Sequence, residues 1–102
     1  MKSPASIPGN TLTPGGVYTM RTWSTLTATP PATHSTIGFV GYFDAGRPLP
    51  ASSVPPMNGL VPGRHTCIVI DSVTRARHTI HAQYDGRGFV WAHGGKRVTF
   101  DR

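Results

Sequence analysis

The clearest pattern of apolar and polar positions lies in the C-terminal half of the chain. Ile80, Ala82 and Tyr84, then Phe89 and Trp91, then Val98 and Phe100 recur at every second position of three short segments. A period of two places such residues on one face of a β-strand. The turns between the segments test this reading. Gly94 and Gly95 form a two-residue hairpin turn, because glycine supplies the positive φ that such turns demand. That turn sets Trp91 opposite Val98 and Phe89 opposite Phe100. The four-residue connection 85–88 (DGRG) sets Tyr84 against Phe89 and Ala82 against Trp91. Both registers bring the same residues to one face, which a slip by one residue would scramble. A five-residue turn at 71–75 would add Ile68 and Ile70 to that face, completing a four-stranded antiparallel meander.

Strands are predicted at residues 17–24, 36–43, 66–70, 76–84, 89–93 and 97–101. The two longest stretches free of both Gly and Pro, 17–29 and 64–85, are rich in Thr, Val and Ile, whose branched side chains favour strands. With 12 Gly, 10 Pro and no Glu in 102 residues, a mainly helical fold is not expected. The expectation is an all-β fold, a small barrel or sandwich. Its C-terminal meander is preceded by an extended Pro/Gly-rich N-terminal arm over residues 1–16. Residues 17–102 form a single β domain with a Pro-rich loop at 44–63, which holds five prolines and three glycines. A loop this long inside a small domain is usually functional.

The segment Leu12-x-Pro14-Gly15-x-x-Tyr18 resembles the turn-into-strand pattern of fibronectin type III and immunoglobulin-like sandwiches. The resemblance implies a tyrosine corner at Tyr18. A faint internal repeat pairs residues 10–15 with 58–63, residues 38–40 with 88–90, and Arg47 with Arg97. Two β half-units packed together would follow from it.

Composition narrows the function. Charged residues are only 14 % of the chain, with a formal net charge of +6 from ten basic against four acidic side chains. That balance permits contact with nucleic acid or an acidic protein surface. The single Cys67 excludes an internal disulfide framework. Lys2 is followed by Ser, Pro and Gly rather than an apolar run, and no apolar stretch approaches membrane-spanning length. The expectation is a soluble protein with no membrane partner, placed in the cytoplasm or, if viral, in the virion or host cytoplasm.

Candidate chemistry is sparse. The five-residue turn would place His65 and Cys67 on the face away from the core with His81 opposite, a weak thiolate–imidazole metal set lacking a fourth ligand. His65 and His81 with Arg77 or Arg97 would make a metal-free ribonuclease-like arrangement. No Gly-rich phosphate loop precedes a helix, and no cofactor is expected. Arg75, Arg77, Arg87, Lys96 and Arg97 could hold nucleic acid on a basic face. The low charge and abundant Thr, Gly and Pro resemble the composition of small phage virion accessory subunits, such as capsid decoration, neck or tail proteins. That resemblance implies a non-catalytic assembly protein with a protein partner or homo-oligomeric contacts. Docking would run through Ile7 and Leu12 of the arm and Pro48, Leu49, Pro50, Val54, Pro55, Pro56 and Met57 of the loop. Nucleic-acid binding is the alternative, and a metal-binding or ribonuclease-like protein the third reading.

Overall fold

In the computed structural model, which describes residues 12–27 and 30–101, seven strands make one antiparallel sheet. They are β1 (Val17–Trp23), β2 (Ala32–Asp44), β3 (Arg47–Leu49), β4 (His65–Asp71), β5 (Arg77–Tyr84), β6 (Phe89–His93) and β7 (Lys96–Asp101). The strand order is β1-β7-β6-β5-β4-β2-β3, and β1 also pairs with β2, from Val17↔Gly38 to Trp23↔Ala32. The sheet therefore closes into a six-stranded barrel, with β3 as an extra strand beside the end of β2. Closure leaves no free edge around the ring. Barrel rather than sandwich is settled by that β1–β2 pairing.

Both Gly-containing hairpins have the register that their turns predict. Tyr84 faces Phe89 and Ala82 faces Trp91 across β5–β6. Ala92 faces Arg97 and His93 faces Lys96 around the Gly94-Gly95 turn, where both glycines have positive φ. Ile80, Ala82, Trp91, Val98 and Phe100 are buried as expected. Tyr84 and Phe89 point the same way but sit at the barrel mouth, where their rings meet edge to face at 5.5 Å.

The β4–β5 turn corrects the sequence reading. Ile70 faces Arg77 and Cys67 faces Ile80, one residue away from the register of a five-residue turn. Asp71 and Ala76 close a four-residue loop: the Asp71 N–H donates to the Ala76 carbonyl, and the Arg75 N–H to the Asp71 carbonyl. The Asp71 carboxylate accepts the N–H groups of Val73 and Thr74, and Arg75 takes the positive φ (63°) without a glycine. A one-residue shift turns every side chain of a strand to the other face. His65, Cys67 and Val69 are therefore inside the barrel, while Ile68 and Ile70 are outside and half-buried.

β3 was not expected, because Pro48 lacks an N–H to donate. Proline is tolerated in such an edge strand, and Ala45 and Gly46, both at positive φ, turn the chain back onto β2. The Pro-rich segment is thus structured, with short 3-10 turns at Ala51–Ser53 and Met57–Gly59. Leu60 is buried, and Leu49 and Val54 pack against the core.

Residues 12–16 also belong to the domain. Leu12 is buried, its N–H donates to the Tyr42 hydroxyl, and Gly15 and Gly16 exchange backbone bonds with Phe39. The Thr13 N–H donates to the Tyr18 hydroxyl at 2.9 Å, the local bond of a tyrosine corner, here on a barrel. A Cβ at Gly16 would lie 2.8 Å from the Tyr18 ring, so this position has room only for glycine.

The internal repeat is local only. Leu12 and Leu60 each enter the core just before a Pro-Gly turn that feeds a strand. Of the other matches, residues 38–40 and 88–90 fall on β2 and at the start of β6, three places apart around the ring, whereas β1 and β4 lie two apart, and Arg47 and Arg97 fall on β3 and β7. No single rotation relates the two halves.

Candidate functional site

The structure separates the weak metal set. Cys67 and His65 point inward and His81 points outward, on opposite faces of the sheet. Burial pushes the Cys67 thiol far up, so it stays protonated and inert. His65 Nδ1 accepts the Val61 N–H at 2.7 Å, leaving Nε2 to face Asp44 at 3.9 Å. It is a structural histidine holding the turn into β4. No cluster of three metal-ligating side chains occurs among the described residues. The same inversion parts His65 from His81 as an acid–base pair.

His78 and His93 meet instead at one mouth of the barrel, with ring centroids 5.0 Å apart and edge to face. Burial first, then the nearby His78 and His81, holds His93 below the ordinary histidine range. The unfolded chain therefore binds a proton more readily than the folded one below about pH 6.5. Stability is full above that pH and falls as acid charges the unfolded form. Melting temperatures measured from pH 7 to 5 should decline, and His93→Gln should flatten the decline. A second loss is expected below about pH 4, because Asp44, Asp71 and Asp85 are all held below the usual carboxylate range. The causes are the Arg64 side chain for Asp44 and turn N–H groups for the other two.

Those contacts explain where the net charge lies. Asp44 pairs with Arg64, and Asp101 with Arg21 at 3.1 Å. The carboxylates of Asp71 and Asp85 each accept two turn N–H groups. All four acids are thus engaged locally. Arg47, Arg75, Arg77, Arg87, Lys96 and Arg97 make no ion pair within 4 Å among the described residues.

Of the expected nucleic-acid residues, Arg87 and Arg97 are brought together. They line one cavity of about 210 Å³ with Thr27 and Asp85. Arg75 lies in the β4–β5 turn, Arg77 on the outer face of β5, and Lys96 beside the Gly-Gly turn.

The expected docking residues divide differently. Leu12 is spent on the core, and Leu49 and Val54 pack against it. Pro48, Pro50 and Pro56 are exposed and Pro55 is half-buried. Ile7 and the side chain of Met57 lie outside the described residues.

A second apolar surface, unseen in the sequence, is formed on the outside of β1, β2 and β4. Val17 faces Gly38, Gly38 faces Ile70, and Ile70 faces the exposed Arg77. In the next rows Gly41 faces Ile68 and Phe43 faces Thr66, with Val40 at the bulge between. Val17 is 66 % exposed and Val40 36 %, while Phe43, Ile68 and Ile70 are half-buried. Gly38 leaves open space at the centre, since a Cβ there would touch nothing within 4 Å. One signal was available: the unbroken run Cys67-Ile68-Val69-Ile70 is typical of a strand covered on both faces.

Among the described residues, the fold and its surfaces define a closed, six-stranded antiparallel barrel that carries a basic cavity and an outward apolar face. Comparison with protein-family models, curated proteins and solved structures finds no match for this chain. No helix among the described residues is long and apolar enough to cross a membrane.

Proposed function

We propose that this chain is a non-catalytic assembly protein that docks onto an acidic protein surface of a larger particle through the outer face of β1, β2 and β4. The observation that carries this reading is the outward set Val17, Val40, Phe43, Ile68 and Ile70, contiguous by register. Contiguous exposed apolar surface on a small protein marks an interaction site. Charge selects the occupant. A second copy would set +6 against +6, whereas an acidic protein meets Arg77 at the rim, opposite Ile70. The composition supports a small phage virion accessory subunit as the setting. The exposed Pro48, opposite Phe43 across the β2–β3 ladder, extends the same face.

The probe for the test is a soluble peptide of alternating Leu and Glu, titrated into isotopically labelled protein and followed by amide chemical shifts. Changes should cluster at Val17, Gly38, Val40, Ile68 and Ile70, vanish in the Ile68→Thr/Ile70→Thr variant, and be absent with a Leu/Lys peptide. Shifts elsewhere, or self-association through this face in light scattering, would overturn the reading.

A further inference from the structure

We propose that the cavity between the β5–β6 turn and β7 holds a backbone phosphodiester of single-stranded nucleic acid, on the side of the barrel opposite the apolar face. The placement follows from the strand order. Around the six-stranded ring, β6 lies three places from β2, and β7 three places from β4, so their outer surfaces look in opposite directions. The two surfaces can be occupied at once.

The cavity is built by three parts of the chain. The β1–β2 loop brings Thr27, and its Thr25 carbonyl accepts the Arg97 N–H, tying the loop to β7. Arg97 sits on β7 opposite Ala92, which is buried although its position faces outward. The β5–β6 turn brings Asp85 and Arg87, and its shape is set because Asp85 Oδ1 accepts the N–H groups of both Arg87 and Gly88. The two guanidinium groups therefore converge on one space of about 210 Å³ with no ion pair within 4 Å among the described residues. Guanidinium forks match phosphate oxygens, and Thr27, whose hydroxyl is hydrogen-bonded to that of Thr25 at 3.0 Å, lines the same space.

Asp85 decides the charge of the ligand. Two arginines and one carboxylate give the lining a net single positive charge, which suits the one negative charge of a phosphodiester. A phosphate monoester, near −2 at neutral pH, would leave a charge facing Asp85 uncompensated. A second feature at the same turn points to an unpaired strand. Tyr84 is 56 % exposed, its ring packs against Phe89, and its hydroxyl donates to the Gly86 carbonyl, which places an aromatic surface on the turn that carries Arg87. Small barrels hold single strands by combining a basic groove with such aromatic surfaces. The buried Trp91 and Phe100 cannot serve in this way, so one ring and two arginines make a short contact.

The test uses the full chain and a fluorescent oligo(dT) of about 12 nucleotides, within the roughly 4–16 nucleotides that one small barrel spans. Log affinity should fall with log salt with a slope of about −0.7, as one held phosphate requires. Because both arginines hold the same phosphate, Arg87→Ala and Arg97→Ala should each flatten the slope of log affinity against log salt by part of about 0.7, and the double variant by the whole of it, the value for one single-strand phosphate contact. Tyr84→Ala should weaken binding about tenfold with the slope unchanged. Inorganic phosphate and a duplex of the same length should compete poorly. Arg97→Lys, which keeps the charge, should retain the slope and lose affinity, and thermal melts check that each variant is folded. Equal losses from Arg75→Ala and Arg77→Ala would show diffuse charge and overturn the site, as would preference for duplex or for inorganic phosphate. The Ile68→Thr/Ile70→Thr variant should bind oligo(dT) normally, so this proposal and the docking reading fail separately.

Discussion

Val69→Asp is expected to unfold the protein, whereas Ile70→Asp, one residue later, leaves the barrel standing and removes docking to an acidic peptide. The contrast follows from the β4–β5 register, which turns Val69 into the core and Ile70 to the outside. At position 69 a carboxylate would be enclosed within the core cluster, since Val69 is fully buried, and the residue across the ladder is His78 rather than an arginine or lysine. Losing the burial of a valine costs about 1.5–3 kcal/mol, and an uncompensated buried charge adds about 3–5 kcal/mol. The combined loss rivals the whole stability of a domain this size, about 5–15 kcal/mol. At position 70 the carboxylate is half-solvated and faces Arg77 across the ladder, so the fold should lose at most about 1 kcal/mol. Near-ultraviolet circular dichroism and amide dispersion distinguish the two outcomes. A folded Val69→Asp with an unfolded Ile70→Asp would invert the faces and remove the basis of the docking surface.

Leu12→Ala should lower stability by about 3 kcal/mol, within the range of roughly 2–5 kcal/mol for truncating a buried leucine. For a domain of this size that corresponds to a fall in melting temperature of about 12–24 °C. Leu12 is 1 % exposed and packs in the same cluster as Tyr42 and Leu60, and its N–H is held by the Tyr42 hydroxyl. Burial also pushes the Tyr42 hydroxyl well above its usual range, so that bond is made by a neutral phenol throughout the accessible pH range. Pro56→Ser, at an exposed position of the Pro-rich segment, is the control and should shift stability by no more than about 0.5 kcal/mol. Were Leu12 a docking side chain on a loose arm, its truncation would leave the melting temperature unchanged.

These two expectations mark the line between what was legible in the residues and what was not. The β5–β6–β7 hairpins were legible because their turns carry their own chemistry. Gly94, Gly95 and the Asp85–Gly88 bonds fix the register within a few residues, and the apolar stripe then falls on one side. The segment Asp71-Ser-Val-Thr-Arg-Ala76 has no glycine to mark the positive φ, which Arg75 adopts instead. Loops of four and five residues were equally consistent with it. That single residue of difference moved Cys67, Val69 and His65 inside, dissolved the metal and ribonuclease-like sets, and turned Ile68 and Ile70 outward.

The Pro-rich segment was misread for a related reason. Prolines weaken strand signals, yet Pro48 sits in an edge strand that needs no N–H from it, and Leu49, Val54 and Leu60 return to the core. The pairing of Arg87 with Arg97 was beyond local reading altogether, since the residues lie in different elements and meet only because Arg97 runs beside the β5–β6 turn.

By itself the sequence determined the β class, the turns rich in glycine or aspartate, and the aromatic core stripe, because each depends on forces acting over a few residues. The closure of the ring, the inward or outward sense of β4 and the two opposed surfaces were decided only by tertiary structure. They depend on which strands meet at long range and in which register, and a one-residue difference there exchanges core for surface.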